Sequence, residues 1–173
     1  ISGSNVTASC IVFSDKGPEK KEYRSMNIKT DKNDDYLALA EAISRRISSL
    51  KKRSLPFPSL ILIDGGKGHL NTVRKELVNK NVEIIKLISV SKGENRKEKY
   101  DKLHIDSPKK EIELQEWKDI SRLIQFMRNE SHRFAITKHK ARRTKTLISS
   151  DLDQIPLIGE SLKKELIRHF GGM

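Results

Sequence analysis

Ser59-Leu-Ile-Leu-Ile-Asp64-Gly65-Gly66-Lys67-Gly68-His69-Leu70 is the stretch that decides the predicted fold. Its apolar run, Leu60 to Ile63, is too short for a helix and is rich in branched side chains, which is typical of a buried strand. The glycines that follow permit a sharp turn. The spacing of Leu70, Val73 and Leu77 then predicts a helix, so the stretch predicts a strand–turn–helix unit of an α/β protein.

Asp64 ends this strand, and its role is open to three interpretations. A carboxylate is rarely buried without a partner, so we expect Asp64 at the C-terminal end of the strand, where open α/β sheets place their sites. It could cap the next helix, or it could bind a metal or act in catalysis. Alternatively, Gly65 to Gly68 could bind a nucleotide phosphate, although a Walker motif requires four residues between its glycines and a Ser or Thr after the lysine, whereas Gly68 and His69 follow Lys67 here.

Charge points to an anionic partner. The 173 residues carry a formal net charge of +12, only 5% are aromatic, and no apolar run reaches membrane-spanning length. Nucleic acid is therefore a better candidate partner than a bilayer. The single cysteine, Cys10, lies in an apolar run and is expected in the core of a protein from a reducing compartment. The sequence begins at Ile1 without a signal-peptide pattern, and we expect it to be a fragment of a longer protein.

The other patterns complete an α/β chain. Residues 6–14 and 20–28 predict a hairpin. The apolar stripe from Tyr36 to Ile47 predicts a helix, and acidic residues just before it are expected to cap its N-terminus. Residues 82–90 predict a strand parallel to the first one, because a helix lies between them. Later patterns predict a short hairpin at 103–105 and 112–114, and one long or broken helix from Trp117 to Ile136.

Two stretches concentrate positive charge. Residues 91–99 form a loop with four basic residues, and residues 131–150 contain no acidic residue. A solvated helical face normally mixes both signs, so the second stretch favours contact with phosphates. The segment 151–173 is separate in pattern, with an apolar turn at Ile155 to Gly159 before a short helix, and residues 144–150 are predicted to be its linker.

Six motifs in order give the chain a resemblance to the UvrC family, the nuclease subunit of bacterial nucleotide excision repair. They are Gly3-Ser-Asn-Val-Thr-Ala-Ser-Cys-Ile-Val-Phe13, Lys16-Gly-Pro18, Asp34-Asp35-Tyr36, Leu62-Ile-Asp-Gly-Gly-Lys-Gly68, Ser91-Lys-Gly93 with Arg96-Lys97, and Arg128-Asn-Glu-Ser-His132-Arg-Phe-Ala135. The resemblance implies a ribonuclease-H-like endonuclease domain over 1–143, with a mixed sheet flanked by helices and a first strand that is incomplete at its start. It also implies that 151–173 begins a helix-hairpin-helix module.

The resemblance also implies a catalytic site for Mg²⁺ or Mn²⁺. Asp64 matches the family's second aspartate, and His132 matches its histidine, as metal ligands or, for His132, as a general acid or base. Asp35 matches an acidic position with a supporting role. The family's first aspartate would lie just upstream of Ile1, so the chain as given would be inactive. His69, His104, His139 and His169 match no such position and are expected at the surface or in packing.

The implied activity is the 5′ incision at lesions in double-stranded DNA, in the cytoplasm, as part of DNA repair and the SOS response. UvrA and UvrB would load the enzyme, and neither a membrane nor a small-molecule substrate is implied. A non-catalytic DNA-binding module with the same fold and a nucleotide-binding protein are the alternatives. Residues expected to contact DNA phosphates are Lys67, Arg96, Lys97, Arg128, Arg142, Arg143 and Gly159, the last at a hairpin that could also serve only for packing.

Overall fold

The computed structural model describes residues 6–29, 34–92, 101–106, 108, 110–153 and 159–170, with the chain forming two compact units. The first unit contains the described residues of Ile1–Ala8 and Met26–Arg128, and the second contains those of Ser9–Ser25 and Asn129–Met173. This division differs from the predicted boundary at residues 144–150. The strands are β1 (Thr7–Cys10), β2 (Phe13–Ser14), β3 (Gly17–Pro18), β4 (Arg24–Asn27), β5 (Leu60–Asp64), β6 (Lys86–Ser91), β7 (Lys102–Ile105) and β8 (Lys110–Glu113), and the helices are α1 (Asp35–Lys52), α2 (Lys67–Asn79), α3 (Lys118–Asp153) and α4 (Glu160–Phe170).

A four-stranded mixed sheet in the order β5-β6-β7-β8 forms the centre of the first unit. The β5–β6 pair is parallel, with Asp64 opposite Val90, as the intervening helix α2 predicts. The β6–β7 and β7–β8 pairs are antiparallel. The α/β fold class, the Asp64 strand, the parallel pair and the late hairpin are thereby confirmed, although β6 begins at Lys86 rather than at Val82.

The sheet has an apolar core on each face. Ile63 and Leu87 lie in one cluster with Ile47 of α1 and with Val73 and Leu77 of α2. Val90 lies in the other cluster, on the opposite face, with Leu103, Leu114 and Ile124 of α3. Side chains alternate between the faces along a strand, so Asp64, next to Ile63, points to the face that α3 covers, and this alternation sets which helix can reach the site.

The predicted amino-terminal hairpin is present with an elaborated turn. Strand β1 pairs with β4, while β2 and β3 form a second, smaller antiparallel pair between them. Gly17 has a φ of +103°, a conformation that side chains strongly disfavour, which explains a glycine in this tight turn.

The helix predicted from Tyr36 is also confirmed, and the Asp34 carboxylate caps it by accepting hydrogen bonds from the Tyr36 and Leu37 amides.

Helix α3 is one continuous helix of 36 residues, so the prediction of a long helix is confirmed. It runs through residues 144–150, where the sequence pattern predicted a linker, and the reason is that no glycine or proline interrupts it between Lys118 and Asp153. Helix α4 follows Gly159 as expected, whereas residues 154–158, with most of the predicted apolar turn, lie outside the described residues. No helix in the described part of the chain is both long enough and apolar enough to cross a bilayer.

Candidate active site

Asp64 lies at the carboxyl end of β5, in a turn that the neighbouring strand holds in place. The Gly65 amide donates to the Val90 carbonyl at 2.9 Å, and the Ser89 hydroxyl lies 3.5 Å from the Gly66 carbonyl. A side chain at Gly65 would come within 2.6 Å of the His69 ring, so the turn has room only for glycine there. Helix α2 has Gly66 as its N-cap and no side-chain cap hydrogen bond, so the interpretation of Asp64 as a helix cap is wrong.

The Asp64 carboxylate contacts Arg128 of α3. Arg128 Nη2 lies 3.2 Å from Asp64 Oδ1, and Arg128 Nη1 donates to Asp101 Oδ2 at 2.5 Å. The Asp64 side chain remains 64% exposed, whereas those of Arg128 and Asp101 are 13% and 6% exposed. Asp64 is therefore accessible to a ligand while one guanidinium links it to a buried carboxylate.

Asp35 lies in the first turn of α1, directly after the capping residue Asp34, and its side chain is exposed. This turn packs on the start of α2. The Tyr36 and His69 rings are 4.7 Å apart, and a side chain at Gly68 would come within 2.7 Å of the Tyr36 hydroxyl. Asp35 is thus carried by a turn that packs close to the Asp64 loop, and His69 is a packing residue, as expected.

His132 is an exposed residue of α3 and belongs to the second unit. Its helical neighbours are anchored within that unit. The Tyr23 hydroxyl donates to Glu130 Oε1 at 3.1 Å, and the Tyr23 ring packs edge-on against Phe134 at 5.2 Å. Hydrogen bonds from Arg133 and Tyr23 lower the pKa of Glu130 to about 2, and burial with the Glu130 contact raises the pKa of Tyr23 to about 12. These contacts fix the helical turn that carries His132.

Beside the Asp64 loop, a polar network joins α2 to the antiparallel strands. Lys67 Nζ lies 2.8 Å from Glu111 Oε2, and Lys102 Nζ lies 3.3 Å from Glu111 Oε1. The buried His104, directly opposite Glu111 in the β7–β8 ladder, bonds Ser91 Oγ through Nε2 at 2.8 Å. Its Nδ1 lies 3.2 Å from Glu111 Oε2 but outside hydrogen-bonding geometry. His104 is a core histidine, in agreement with its expected packing role.

Acidification is expected to destabilise this network. Burial lowers the pKa of His104 from its usual 6.5, and bonds from Lys67 and then Lys102 lower the pKa of Glu111 to about 2. Because folding lowers both pKa values, His104 stabilises the fold fully above pH 6.5 and Glu111 does so above pH 4.5. Both stabilising effects are lost as the pH falls below these values. The melting temperature should therefore decline from pH 6.5 downward, and Glu111→Gln should flatten the decline between pH 4.5 and 2.

Thermal unfolding followed by circular dichroism across this pH range checks the prediction. Glu116→Gln is the matched control, because Glu116 is an exposed glutamate in the short 3₁₀ turn that follows β8. The control should keep the wild-type pH profile. An equal flattening in both variants would mean that Glu111 makes no special contribution.

The predicted phosphate contacts lie in different places. Lys67 begins α2 and is exposed, although it pairs with Glu111. Arg128 is nearly buried between two carboxylates, so its predicted phosphate contact stays a prediction that now has a competing role. Gly159 is exposed before α4, and apart from its chain neighbours no heavy atom of the described residues lies within 4 Å of where a side chain would begin. Arg96 and Lys97, together with the side chains of Arg142 and Arg143, lie outside the described residues.

The donor chemistry of Asp64 fits a hard divalent cation, because an exposed carboxylate offers oxygen ligands. The described residues hold no group of three or more His, Cys, Asp or Glu side chains that could surround a metal ion. The described residues therefore do not by themselves complete a ligand set around Asp64.

Three side-chain pairings among the described residues, two in the first unit and one in the second, were not predicted from the sequence. Asp101 meets Arg128, Glu111 meets Lys67, and Tyr23 meets Glu130, across 27, 44 and 107 positions respectively. Arg128 and Glu130 both belong to the motif Arg128-Asn-Glu-Ser-His132, so the sequence marked these two residues as candidates for a role near His132 in the chain. Nothing in the sequence pattern points to Asp101 or Glu111.

Comparisons with known proteins agree on one family. Residues 1–136 match the family described as UvrC RNAse H endonuclease domain. UvrABC system protein C of Hydrogenovibrio crunogenus is 40% identical over 172 residues, which is 99% of this chain and 28% of that protein. The proteins of the same name from Pseudomonas protegens and Legionella pneumophila are also 40% identical, over 173 and 172 residues. The chain spans 28% of the length of each of these relatives.

Proposed function

Because this chain belongs to the UvrC family, we propose that it is the endonuclease domain that makes the 5′ incision at DNA lesions in bacterial nucleotide excision repair. The observation that carries the proposal is the match of residues 1–136 to the family's endonuclease domain, with Asp64 exposed at the carboxyl end of β5. This end of a strand is where open α/β sheets place their sites. The reaction is the hydrolysis of a phosphodiester bond.

A bound Mg²⁺ or Mn²⁺ would supply a hydroxide nucleophile and stabilise the leaving 3′ oxygen. Asp64 would hold the ion through its carboxylate. His132 would act either as a second ligand, since imidazole suits Mn²⁺, or as the group that takes and returns a proton. Asp35 would support the site from the first turn of α1.

A further aspartate would come from a strand that precedes Ile1 in the longer protein. The edge of the four-stranded sheet supports this part of the proposal, because among the described residues β5 pairs in that sheet with β6 alone. The open side of an edge strand presents backbone N–H and C=O groups with which a further strand can pair. The chain as given would then lack incision activity, and the full-length protein would have it.

Contacts with DNA would be made through backbone phosphates. The net charge of +12 supports this, since phosphate contacts supply most of the sequence-independent affinity for DNA. Such contacts suit an enzyme that its partners direct to damage. The residues proposed for them are Lys67, Arg96, Lys97, Arg142, Arg143 and Gly159. Arg128, which was also expected to contact phosphates, lies between two carboxylates instead.

The partners would be UvrA and UvrB, which the name of the relatives as a UvrABC system implies, and damaged duplex DNA. The proposed compartment is the cytoplasm. In the full-length protein, a separate amino-terminal nuclease domain would make the 3′ cut.

Removal of the metal ion tests the proposal. The full-length protein, loaded by UvrA and UvrB on a lesion-bearing duplex, should make no 5′ incision after treatment with a chelator. Incision should return on addition of Mg²⁺ or Mn²⁺, while a mobility-shift assay should show that DNA remains bound throughout. Incision in the presence of the chelator would contradict a metal-assisted mechanism. Binding without incision under every metal condition would favour the alternative, a DNA-binding module without catalysis.

A further inference from the structure

We propose that Arg128 is a positioning residue, anchored by the buried Asp101, which orients the Asp64 carboxylate for metal binding. This inference rests on the proposed function, because it assigns Asp64 to the metal site. It gives Arg128 a role in the site itself, in place of the phosphate contact expected from its positive charge.

The two contacts of Arg128 use different nitrogens of one rigid guanidinium. Nη1 donates to Asp101 Oδ2 at 2.5 Å, and Nη2 lies 3.2 Å from Asp64 Oδ1. The planar fork of arginine can join two carboxylates in this way, whereas the single ammonium of lysine has no such fixed geometry. Because the guanidinium is rigid, the position of the Asp101 carboxylate determines where Arg128 holds the Asp64 carboxylate.

Asp101 provides a fixed anchor for that fork. Its side chain is only 6% exposed, and a buried carboxylate requires a charged or hydrogen-bonding partner. Its carbonyl accepts a hydrogen bond from the Leu114 amide, and Leu114 lies in the core cluster that also contains Ile124 of α3. Both the carboxylate and the helix that carries Arg128 are thus held by the core.

The Asp64 contact is the more open of the two. It is longer, and the Asp64 side chain is 64% exposed, so this carboxylate can also accept a cation from solvent. Arg128 acts on it in two opposing ways. Its charge repels a divalent ion, by about 30-fold in affinity at ~4 Å in water, whereas its hydrogen bond fixes the carboxylate, and loss of such a supporting partner typically costs about 10- to 100-fold in metal affinity or activity. Orientation outweighs repulsion when its effect lies near the upper end of that range.

Binding of Mn²⁺ to the full-length protein, followed by electron paramagnetic resonance, tests the proposal without relying on incision. Arg128→Gln should weaken the Mn²⁺ affinity by about threefold, the net of the lost orientation and the relieved repulsion. Asp101→Asn should weaken it in the same direction, although Asp101 is buried away from solvent. Arg128→Lys should also weaken it, and this variant retains the charge that pairs with Asp101 if Arg128→Gln fails to fold.

The matched control is Arg122→Gln, which removes the same charge from the same helix. Arg122 is 80% exposed and pairs with Asp119 at 3.6 Å. This variant should leave Mn²⁺ affinity unchanged. The salt dependence of DNA binding supplies a second readout, because loss of a phosphate contact lowers its slope by about one. Arg128→Gln should leave the slope unchanged if Arg128 only positions Asp64.

Tighter Mn²⁺ binding in Arg128→Gln would show that Arg128 merely competes with the metal ion, and it would overturn the proposal. So would an unchanged affinity, or a lower salt slope with normal Mn²⁺ binding, which would restore the phosphate role. The proposed function fails in a different way. In that case Asp64→Asn would leave both Mn²⁺ binding and 5′ incision at the wild-type level, whatever the Arg128 variants do.

Discussion

Asp64→Asn is expected to reduce the rate of 5′ incision by about 10³-fold or more, because metal ions supply several kcal/mol of transition-state stabilisation and each 1.36 kcal/mol is tenfold in rate. Asparagine preserves the size of the side chain but removes the charge that would hold the cation. The exposed position of Asp64 means that this change leaves the core of β5 in place. The single-turnover rate in the full-length protein, with saturating DNA and partners, is the quantity to measure.

Asp119→Asn is the matched control for that experiment. Asp119 is a 98% exposed aspartate at the start of α3, paired with Arg122 at 3.6 Å. The control should cut at the wild-type rate, and both variants should bind DNA normally. If Asp64→Asn cuts within about threefold of wild type, a difference of under 1 kcal/mol in the barrier, Asp64 is no metal ligand.

His132→Ala is expected to reduce 5′ incision by about 10²- to 10⁴-fold, the range for loss of a general acid or base. The side chain is exposed on α3, and its neighbours Glu130 and Phe134 are held by Tyr23, so the helix should keep its structure. A pH dependence of the wild-type rate that is missing from the variant would identify proton transfer as its role.

His169→Ala, at an exposed position of α4, provides the control for a loss of imidazole elsewhere. It should not change the rate. If His132→Ala keeps full activity at every pH, His132 has no catalytic role and the motif around it serves packing alone.

The strand, the turn and helix α2 around Asp64 could be predicted because their signals are local. A short branched apolar run, two glycines and a 3.6-residue spacing each specify one backbone geometry. The same reasoning predicted the parallel β5–β6 pair, since a helix between two strands forces a crossover. These local signals did not show whether Asp64 caps α2, because capping depends on the backbone geometry at the start of the helix. In the structure the N-cap residue is Gly66.

The partners of Asp64 could not be predicted because they depend on tertiary contacts. Arg128 reads in sequence as one more cation in a basic chain, and only the fold shows that it lies between Asp64 and Asp101. Residues 144–150, predicted as the linker to the segment 151–173, lie within α3, because no glycine or proline interrupts that helix between Lys118 and Asp153.

The most direct test of the central claim uses one lesion-bearing duplex that carries a separate label at each end. Wild type, Asp64→Asn and His132→Ala forms of the full-length protein would be loaded by UvrA and UvrB, and the two incisions would be counted independently. The account predicts that both variants lose the 5′ incision while the 3′ incision continues, which also shows that loading is intact. Persistence of the 5′ incision in both variants would contradict it and leave this chain as a DNA-binding module.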